Sequence, residues 1–349
     1  MLPPLPFIPT RNMACSLRER TTTPPSESWM SLAYDALRVF VNWQRERRLN
    51  KVRERKQAAR TATGLLAAGG GVFFGGQSLA IRVDGSIACW GGNRHGQAPP
   101  DGVPGNFVAI ATGDDHSLAL RVDGSIACWG RNDRGQAPPD GVPGIFVAIA
   151  ASMYYSLALR VDGSVACWGL NDDGEAPPDG VPGNFVAIAA GGLHSLALRV
   201  DGSIACWGDN FDGQAPPDGV PGNFVAVAAG ASHSLALRVD GSIACWGWND
   251  DGQAPPDGVP GNFVAIAACA RYSLAIRVDG SIACWGVNEN GGEAPPDGVP
   301  GNFVAIAAGC RHSLALRHDG SVACWGENNA GQAPPAGVSG PFRVTQADL

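Results

Sequence analysis

The chain has 349 residues and a net charge of −7, and its 48 glycines and 27 prolines exclude a mainly helical protein, because such a chain must turn often. Residues 1–68 hold 12 Lys/Arg and 5 Asp/Glu, whereas residues 69–349 hold 13 and 27, which gives the two parts charges of +7 and −14. An acidic body of this kind repels phosphate backbones, so we expect it not to bind nucleic acid, and no run of about 18 apolar residues predicts a transmembrane segment.

Residues 1–25 are rich in Pro and Thr and are predicted to be a disordered leader. From 26 to 63 the pattern predicts a basic amphipathic helix, whose second half carries most of the positive charge. Its apolar face holds Leu32, Ala36, Leu37, Phe40 and Val41. Four interpretations stay open: a transit-like presequence, a helix that docks on the acidic part of the chain, a contact for an anionic partner, or a solvated helix.

Residues 64–349 are dominated by a repeat of 39 residues. The tripeptide Cys-Trp-Gly begins at Cys89, Cys128, Cys167, Cys206, Cys245, Cys284 and Cys324. The copy from Phe185 to Asn223 shows three segments of strand length: Phe-Val-Ala-Ile-Ala-Ala, Ser-Leu-Ala-Leu-Arg-Val and Ser-Ile-Ala-Cys-Trp-Gly. Because both faces of these strands are apolar, each small sheet must be covered on both sides, as when blades stack in a ring.

The second and third segments are joined in every copy by Asp-Gly, as at Asp201 and Gly202. This dipeptide accepts positive φ at both residues and predicts a type I′ hairpin. The linker at 214–222, Gln-Ala-Pro-Pro-Asp-Gly-Val-Pro-Gly, is unsuited to an interior strand, because its prolines cannot donate to a neighbouring strand. We therefore expect the linker to form the outermost edge of each blade, where it blocks pairing with other molecules.

The start of the first segment recurs seven times, and the last copy, at Phe342, follows the seventh Cys-Trp-Gly. We predict that the C-terminal residues 342–346 supply the missing strand of blade one. In the alternative, residues 65–68 form this strand of blade one, with a four-residue insertion. The predicted fold is therefore all-β: a seven-bladed β-propeller of short repeats at 64–349, closed by a C-terminal strand, with an N-terminal α-helical extension.

The string Gly-x-x-His-Ser-Leu-Ala-Leu-Arg-x-Asp-Gly-Ser-x-x-Cys-Trp-Gly-x-Asn-x-x-Gly-Gln, here from Gly191 to Gln214, resembles the repeat of the regulator of chromosome condensation family. The resemblance implies a seven-bladed propeller that binds partners through one face. Members of that family include the exchange factor for the nuclear GTPase Ran, ubiquitin-ligase and other scaffolds, and the bacterial β-lactamase inhibitor protein II. The short, uniform repeats of this chain are more similar to the inhibitor, and they lack the long insertion of the exchange factor.

Two segments vary among the seven copies, one after the first strand and one after Trp-Gly. Because adjacent strands alternate in direction, both segments are expected at one rim of the propeller, where variation is typical of loop-borne recognition. The alternative is that these residues vary without functional constraint, because they lie in exposed turns. The constant Asn of the second segment is expected to cap the turn or to adopt positive φ. The predicted partner-binding residues are Tyr154, Phe211, Trp248, Arg271, Arg311, Asp115, Arg131, Arg134, Leu193 and Asp212.

The residue that precedes Ser-Leu-Ala is His in four copies, Tyr in two and Gln in one. A position that accepts Gln and Tyr predicts a structural hydrogen-bonding site rather than a metal site. The seven repeat cysteines lie on sheets about 10 Å apart, too far for disulfides, so we predict buried thiols. Cys269 and Cys310 lie in variable turns of adjacent blades, where a disulfide or a metal is the alternative.

No Ser-His-Asp set, paired catalytic carboxylates, Walker loop or dinucleotide fingerprint stands out, so we predict no catalytic residue, no cofactor and no enzyme activity. The predicted function is a protein-interaction scaffold that binds a protein partner through the variable rim. The alternatives are guanine-nucleotide exchange on a small GTPase and inhibition of an enzyme in the manner of the β-lactamase inhibitor. Buried thiols favour a reducing, intracellular and cytoplasmic location, with organelle targeting by the basic leader as the alternative.

Overall fold

The computed structural model of the chain describes residues 64–70, 75–288 and 294–344. Within these ranges 21 strands form seven antiparallel sheets of three, and the three strands of each sheet are consecutive in the chain. No helix among the described residues is long and apolar enough to cross a membrane. The predicted leader and helix at 1–63 lie outside the described residues, as do the last two residues of the predicted C-terminal strand.

The seven sheets are numbered here as blades one to seven in chain order. Their strands are β1 Leu66–Gly69, β2 Gln77–Ile81 and β3 Ile87–Gly91; β4 Phe107–Thr112, β5 His116–Arg121 and β6 Ile126–Gly130; β7 Phe146–Ala151, β8 Tyr155–Arg160 and β9 Val165–Gly169; β10 Phe185–Ala190, β11 His194–Arg199 and β12 Ile204–Gly208; β13 Phe224–Ala229, β14 His233–Arg238 and β15 Ile243–Gly247; β16 Phe263–Ala268, β17 Tyr272–Arg277 and β18 Ile282–Gly286; β19 Phe303–Ala308, β20 His312–Arg317 and β21 Val322–Gly326.

The Asp-Gly hairpin is present in each blade, but its turn is not the predicted type I′. In blade four the N–H of Gly202 donates to the carbonyl of Arg199 at 3.0 Å, and the N–H of Arg199 donates to the carbonyl of Ser203 at 2.8 Å. Val200 and Asp201 are therefore the central residues, and Gly202 follows at a φ of 88°, as in a type I turn with a G1 bulge. The strand ends at Arg199, which leaves the side chain of Val200 63% exposed in the turn.

The hydrophobic core lies between neighbouring blades. Leu196, Leu198 and Ile204 of blade four pack with Ala236 and Ala244 of blade five in one buried cluster. Large side chains of one blade thus meet small side chains of the next, which lets the sheets approach closely. A cluster of the same kind joins blade seven to blade one, and β1 contacts both β19 and β4, so the seven blades form a closed ring.

The linker forms the outer edge of each blade, as predicted. Val220 and Ile204 exchange two backbone hydrogen bonds of 2.9 Å, and an equivalent bridge is present in all seven blades. The prolines around this bridge have no N–H to donate. Each outer edge is therefore reduced to a single bridge, which blunts pairing with other molecules.

The innermost strand of blade one is composite, so neither alternative for it is complete on its own. Leu66–Gly69 pairs with β2 and forms most of the strand, and the prediction that residues 342–346 supply it is wrong for that part. The C-terminal alternative holds at Phe342, which forms an antiparallel bridge with Arg82. Phe342 thereby takes the place that the first Phe of the repeat has in the other blades.

Ile81 joins the two ends of the chain. Its N–H donates to the carbonyl of Leu65 at 3.1 Å, and its carbonyl accepts from the N–H of Arg343 at 2.9 Å. The guanidinium of Arg343 is buried and donates to the carbonyls of Phe107 at 3.0 Å and Val83 at 3.3 Å. The C-terminal segment therefore ties blade one to blade two as well as closing the ring.

The position filled by His, Tyr or Gln is a hydrogen-bonding site between blades, as predicted. In four blades the histidine Nε2 lies 2.9 Å from a serine Oγ of the next blade; the pairs are His116–Ser156, His194–Ser234, His233–Ser273 and His312–Ser78. Tyr155 and Tyr272 donate their hydroxyls to carbonyls of the next blade, and Gln77 donates to the carbonyl of Gly113 at 2.8 Å. Because His312 reaches Ser78 in blade one, this polar belt also closes the ring.

Glycine is required three residues before each of these histidines. A Cβ placed on Gly191 would lie 2.2 Å from Cε1 of His194, so the buried imidazole occupies the space of a side chain. The two blades that carry Tyr have Ser152 and Cys269 at the glycine position instead. Differences among the seven copies therefore follow packing needs at this position rather than free drift.

Candidate functional site at the variable rim

The two variable segments of each blade lie at the same end of the blade, as predicted. The residue after Trp-Gly donates its N–H to the carbonyl of the residue before the second strand, at 2.7 to 3.0 Å in all seven blades. The donor and acceptor residues are Gly92 and Gly76, Arg131 and Asp115, Leu170 and Tyr154, Asp209 and Leu193, Trp248 and Ser232, Val287 and Arg271, and Glu327 and Arg311. We call these turns and loops, 191–193 and 209–213 in blade four and their equivalents, the variable rim.

Constant residues fix the shape of each loop on the rim. In blade four, Oδ1 of Asn210 accepts the N–H of Ala215 at 2.8 Å, and Oε1 of the buried Gln214 accepts the N–H of Asp212 at 2.8 Å. The Asn bond recurs in every blade, so the constant Asn caps its turn, which is one of the two predicted roles. The variable side chains are therefore presented by loops whose turns are held largely by constant residues.

Two predicted residues pair across the junction of blades five and six. The guanidinium carbon of Arg271 lies 5.7 Å from the ring centroid of Trp248, which is a cation–π distance. The same guanidinium donates through Nε and Nη2 to the two carboxylate oxygens of Asp251, at 2.8 and 2.9 Å. This bidentate ion pair fixes the guanidinium plane over the indole. Sequence reasoning missed Asp251, although it lies at the position of Asp212 in the repeat.

A second pair of the same kind joins blades two and three. The guanidinium carbon of Arg131 lies 5.5 Å from the ring centroid of Tyr154. Nη2 of Arg131 is 2.6 Å from Asp133, and this hydrogen bond raises the pKa of the guanidinium. Nη1 lies 3.7 Å from the buried carboxylate of Asp115, which also accepts a hydrogen bond of 3.2 Å from Gln97. Both pairs join residues 23 positions apart in the sequence, because both connect the same two rim positions of adjacent blades.

The other predicted residues lie on the rim without such a pair. Phe211 is 92% exposed, and its N–H donates to Oδ1 of Asp209 at 3.0 Å. Arg134 and Asp212 are also exposed, whereas Leu193 and Arg311 are half-buried. All ten predicted residues therefore lie on one rim, spread over blades two to seven.

The ends of the seven first strands surround a central cavity of about 190 Å³ at the variable rim. Its wall is built mainly of Ala and Gly, and the longer or polar side chains are Thr112, Asp114, Ser152, Met153, Cys269 and Cys310. Burial, together with the neighbouring charge of Asp115, raises the pKa of Asp114 to about 6. The repeat spacing gave no signal of this cavity, since its lining comes from seven separate turns.

None of the nine cysteines of the described ranges forms a disulfide. Burial raises the pKa of the repeat thiols to about 12, so they are protonated at neutral pH, in agreement with the predicted buried thiols. Cys269 and Cys310 both line the central cavity and likewise form no disulfide. The structure thus holds no disulfide between them.

The model of the regulator of chromosome condensation (RCC1) repeat matches the chain five times, at residues 107–136, 146–175, 185–214, 224–253 and 303–332. Each match runs from the first Phe of a blade to the buried Gln or Glu of its rim loop, in blades two, three, four, five and seven. No curated protein sequence matches the chain significantly.

Several solved structures share the fold. The CRINKLY WD40 ectodomain of the Arabidopsis thaliana receptor kinase ACR4 is 24% identical with a TM-score of 0.63, and the match covers 79% of this chain and 99% of that one. Prp20p from Saccharomyces cerevisiae is 23% identical with a TM-score of 0.56, covering 68% and 77%. Human WBSCR16 is 19% identical with a TM-score of 0.60, covering 72% and 85%. At these identities the likeness concerns the fold.

Proposed function

Because the chain belongs to the regulator of chromosome condensation repeat family, we propose that it is a protein-interaction scaffold that binds a protein partner through its variable rim. The observation that carries this proposal is the placement of large, variable side chains on loops that the constant Asn and a buried Gln or Glu hold in place. Trp248 illustrates it, since the equivalent position holds Gly, Arg, Leu, Asp, Val and Glu in the other blades. The fold does not need an indole there.

The chemistry of the rim fits protein recognition. Trp, Tyr and Arg are the residue types most enriched among interface hot spots, and here they are held in two cross-blade pairs. Phe211 exposes nearly its whole ring, and burying such a side chain against a partner contributes about 1.5 to 3 kcal/mol. Because Arg131 and Arg271 are already oriented by carboxylates, little side-chain entropy is lost when a partner contacts the rings beneath them.

The fold neighbours also support a protein partner. Prp20p was studied for its binding to Gsp1p and histones, and yeast RCC1 (Prp20) was crystallised with Kap60. The charge of −14 on residues 69–349 favours a partner with a neutral or basic surface over nucleic acid. We infer from the same features a binding role rather than a catalytic one.

We also infer an intracellular, cytoplasmic location, with organelle targeting by the basic leader as the alternative. The repeat thiols support it, since unpaired buried cysteines are typical of a reducing compartment.

We expect the double variant Trp248→Ala/Tyr154→Ala to lose its partner while keeping its fold. Arg271 keeps Asp251 and Arg131 keeps Asp133 in that variant, so no buried charge is left unpaired. The measurement is affinity capture with wild-type and variant baits, followed by the dissociation constant of the purified partner. Each hot spot is expected to weaken binding by about 30-fold or more.

The matched control is Val200→Ala, an exposed substitution in the hairpin turn of the opposite rim. We expect it to bind the partner as the wild type does and to melt at the same temperature. Equal capture by the double variant and by the wild type would overturn the proposed binding surface.

A further inference from the structure

The central cavity has a property that the rest of the rim lacks. Of the described residues that line it, Asp114 alone carries a carboxylate, and the others are small side chains, one methionine, two hydroxyls and two thiols. Neighbouring Asp115 is bonded to Gln97 and lies 3.7 Å from Arg131, whereas Asp114 has no hydrogen bond or ion pair with any described residue. Since burial disfavours the charged form of this carboxylate, a cation placed beside it would be stabilising.

We propose that the central cavity binds the side chain of a lysine of the partner, with its ammonium beside Asp114 and its methylene stem along the alanine and glycine wall. This inference rests on the proposed function, since the lysine belongs to the protein that covers the variable rim. The cavity opens among the ends of the first strands, where the turns of the rim begin. A partner seated on the rim therefore lies directly over it.

The central cavity is large enough for the side chain of a lysine. The five heavy atoms from Cβ to Nζ, at about 30 Å³ each, the share of a water molecule in the liquid, need about 150 Å³. The apolar wall suits a methylene stem, which lysine buries readily while its charged end finds a polar partner.

Among the groups that face Asp114, its own carboxylate is the charge that an entering cation would contact. Asp115 and Arg131 of blade two act on it with opposite signs. Cys269 of blade six is close enough to be influenced by the Asp114 charge, and burial raises the pKa of its thiol, so it stays neutral in the physiological range. Cys310 of blade seven also lines the cavity. His116, which follows this turn, is buried with its pKa lowered to about 4 and is neutral at pH 7.

The test is a titration of the full-length chain with n-butylammonium, a probe of the lysine end, followed by NMR chemical shifts or calorimetry. We expect saturable binding with a dissociation constant on the order of millimolar, as a ligand of five heavy atoms allows. Asp114→Asn, which keeps the size of the side chain, is expected to weaken this binding at least about 10-fold, the effect of removing a desolvated charge partner. Neutral n-butanol is expected not to bind detectably.

A pH series tests whether binding of n-butylammonium depends on the charge of Asp114 or only on the shape of the cavity. Because the carboxyl of Asp114 is protonated below a pKa of about 6, wild-type affinity for n-butylammonium should fall by about tenfold from pH 7.5 to pH 5. Asp114→Asn should show no such dependence. Equal binding by wild type and Asp114→Asn, or no saturable binding by the wild type, would overturn the inference.

The failure of this inference is distinguishable from that of the proposed function. Trp248→Ala should bind n-butylammonium as the wild type does, because Trp248 is not part of the cavity lining. If the wild-type chain captured a partner but did not bind n-butylammonium, the proposed binding surface would stand and only the lysine site would be overturned.

Discussion

Deleting residues 340–349 should lower the melting temperature sharply and open the ring at blade one. Phe342 is 6% exposed, packs in the cluster between blades seven and one, and lies 6.4 Å from the ring of Trp90 between centroids. Removing a buried Phe side chain costs about 3 to 5 kcal/mol of unfolding free energy. The deletion also strips the carbonyls of Ile81, Phe107 and Val83 of their donors on Arg343. Thermal melting of the truncated and full-length chains provides the measurement.

A point variant locates this effect on the Phe342 ring. Phe342→Leu keeps most of the apolar volume and is expected to cost less than about 1.5 kcal/mol, whereas Phe342→Ala should approach the deletion. Phe224→Ala is the internal comparison, since Phe224 has the same place in blade five and is 4% exposed. Amide hydrogen exchange should rise in blade one for Phe342→Ala and in blade five for Phe224→Ala. An unchanged melting curve for the deletion would show that Leu66–Gly69 closes the ring alone.

The repeat predicts most of this fold because each blade is bounded by signals with a local physical meaning. The prolines of the linker exclude an inner position, and the Asp-Gly pair requires a reversal, so strand number, strand order and edge follow from one copy. The turn type was missed at the same place. Asp201 accepts hydrogen bonds from Ser203 two residues on, which favours Val200 and Asp201 as the central pair.

Blade one could be predicted only in part, because the chain ends depart from the period. Phe342 repeats the start of a blade and was recognised for that reason. Arg343 replaces the Val of the other copies, and its buried contacts with blade two are specific to the seam. A charged residue at an otherwise apolar position was the signal that the segment has an additional role.

The candidate site shows a similar limit. Sequence variation identified Tyr154, Trp248, Arg131 and Arg271 one by one, and antiparallel geometry placed them on one rim. Their pairing requires the offset between neighbouring blades, which a single blade does not contain. The central cavity depends on seven turns at once, so Asp114 stood out only as part of a variable segment.

Acid should begin to destabilise the propeller below pH 6.5, before the aspartates of its hairpin turns titrate. Burial lowers the pKa of His116, His194 and His312 to about 4, and burial with the nearby His194 lowers that of His233 to about 3. In the unfolded chain the histidine pKa is about 6.5. Between pH 6.5 and 4 the unfolded state therefore binds more protons than the folded state, and the free energy of unfolding falls as the pH falls.

The expected slope is about 1.4 kcal/mol per pH unit for each histidine that titrates only on unfolding. Between pH 6 and 3.8, Asp114 offsets the contribution of one of the four histidines. Its pKa is raised in the folded chain, so its protonation stabilises the fold. The aspartates of the hairpin turns have lowered pKa values and lose their contribution only below pH 3.8. Calorimetric melting from pH 7.5 to 4, with the proton uptake on unfolding, measures the balance.

The chain supplies its own control, since blade one has Gln77 where four other blades have histidine. Gln77 donates to the carbonyl of Gly113 in the next blade and does not titrate. A variant with His116, His194, His233 and His312 all changed to Gln should keep a polar belt between blades, and its melting temperature should not fall from pH 6.5 to 5, because protonation of Asp114 stabilises the fold in that range. If that variant lost stability with acid as steeply as the wild type, the buried histidines would not be the cause. A steep fall in the wild type alone would show that the belt which joins the blades also sets their acid limit.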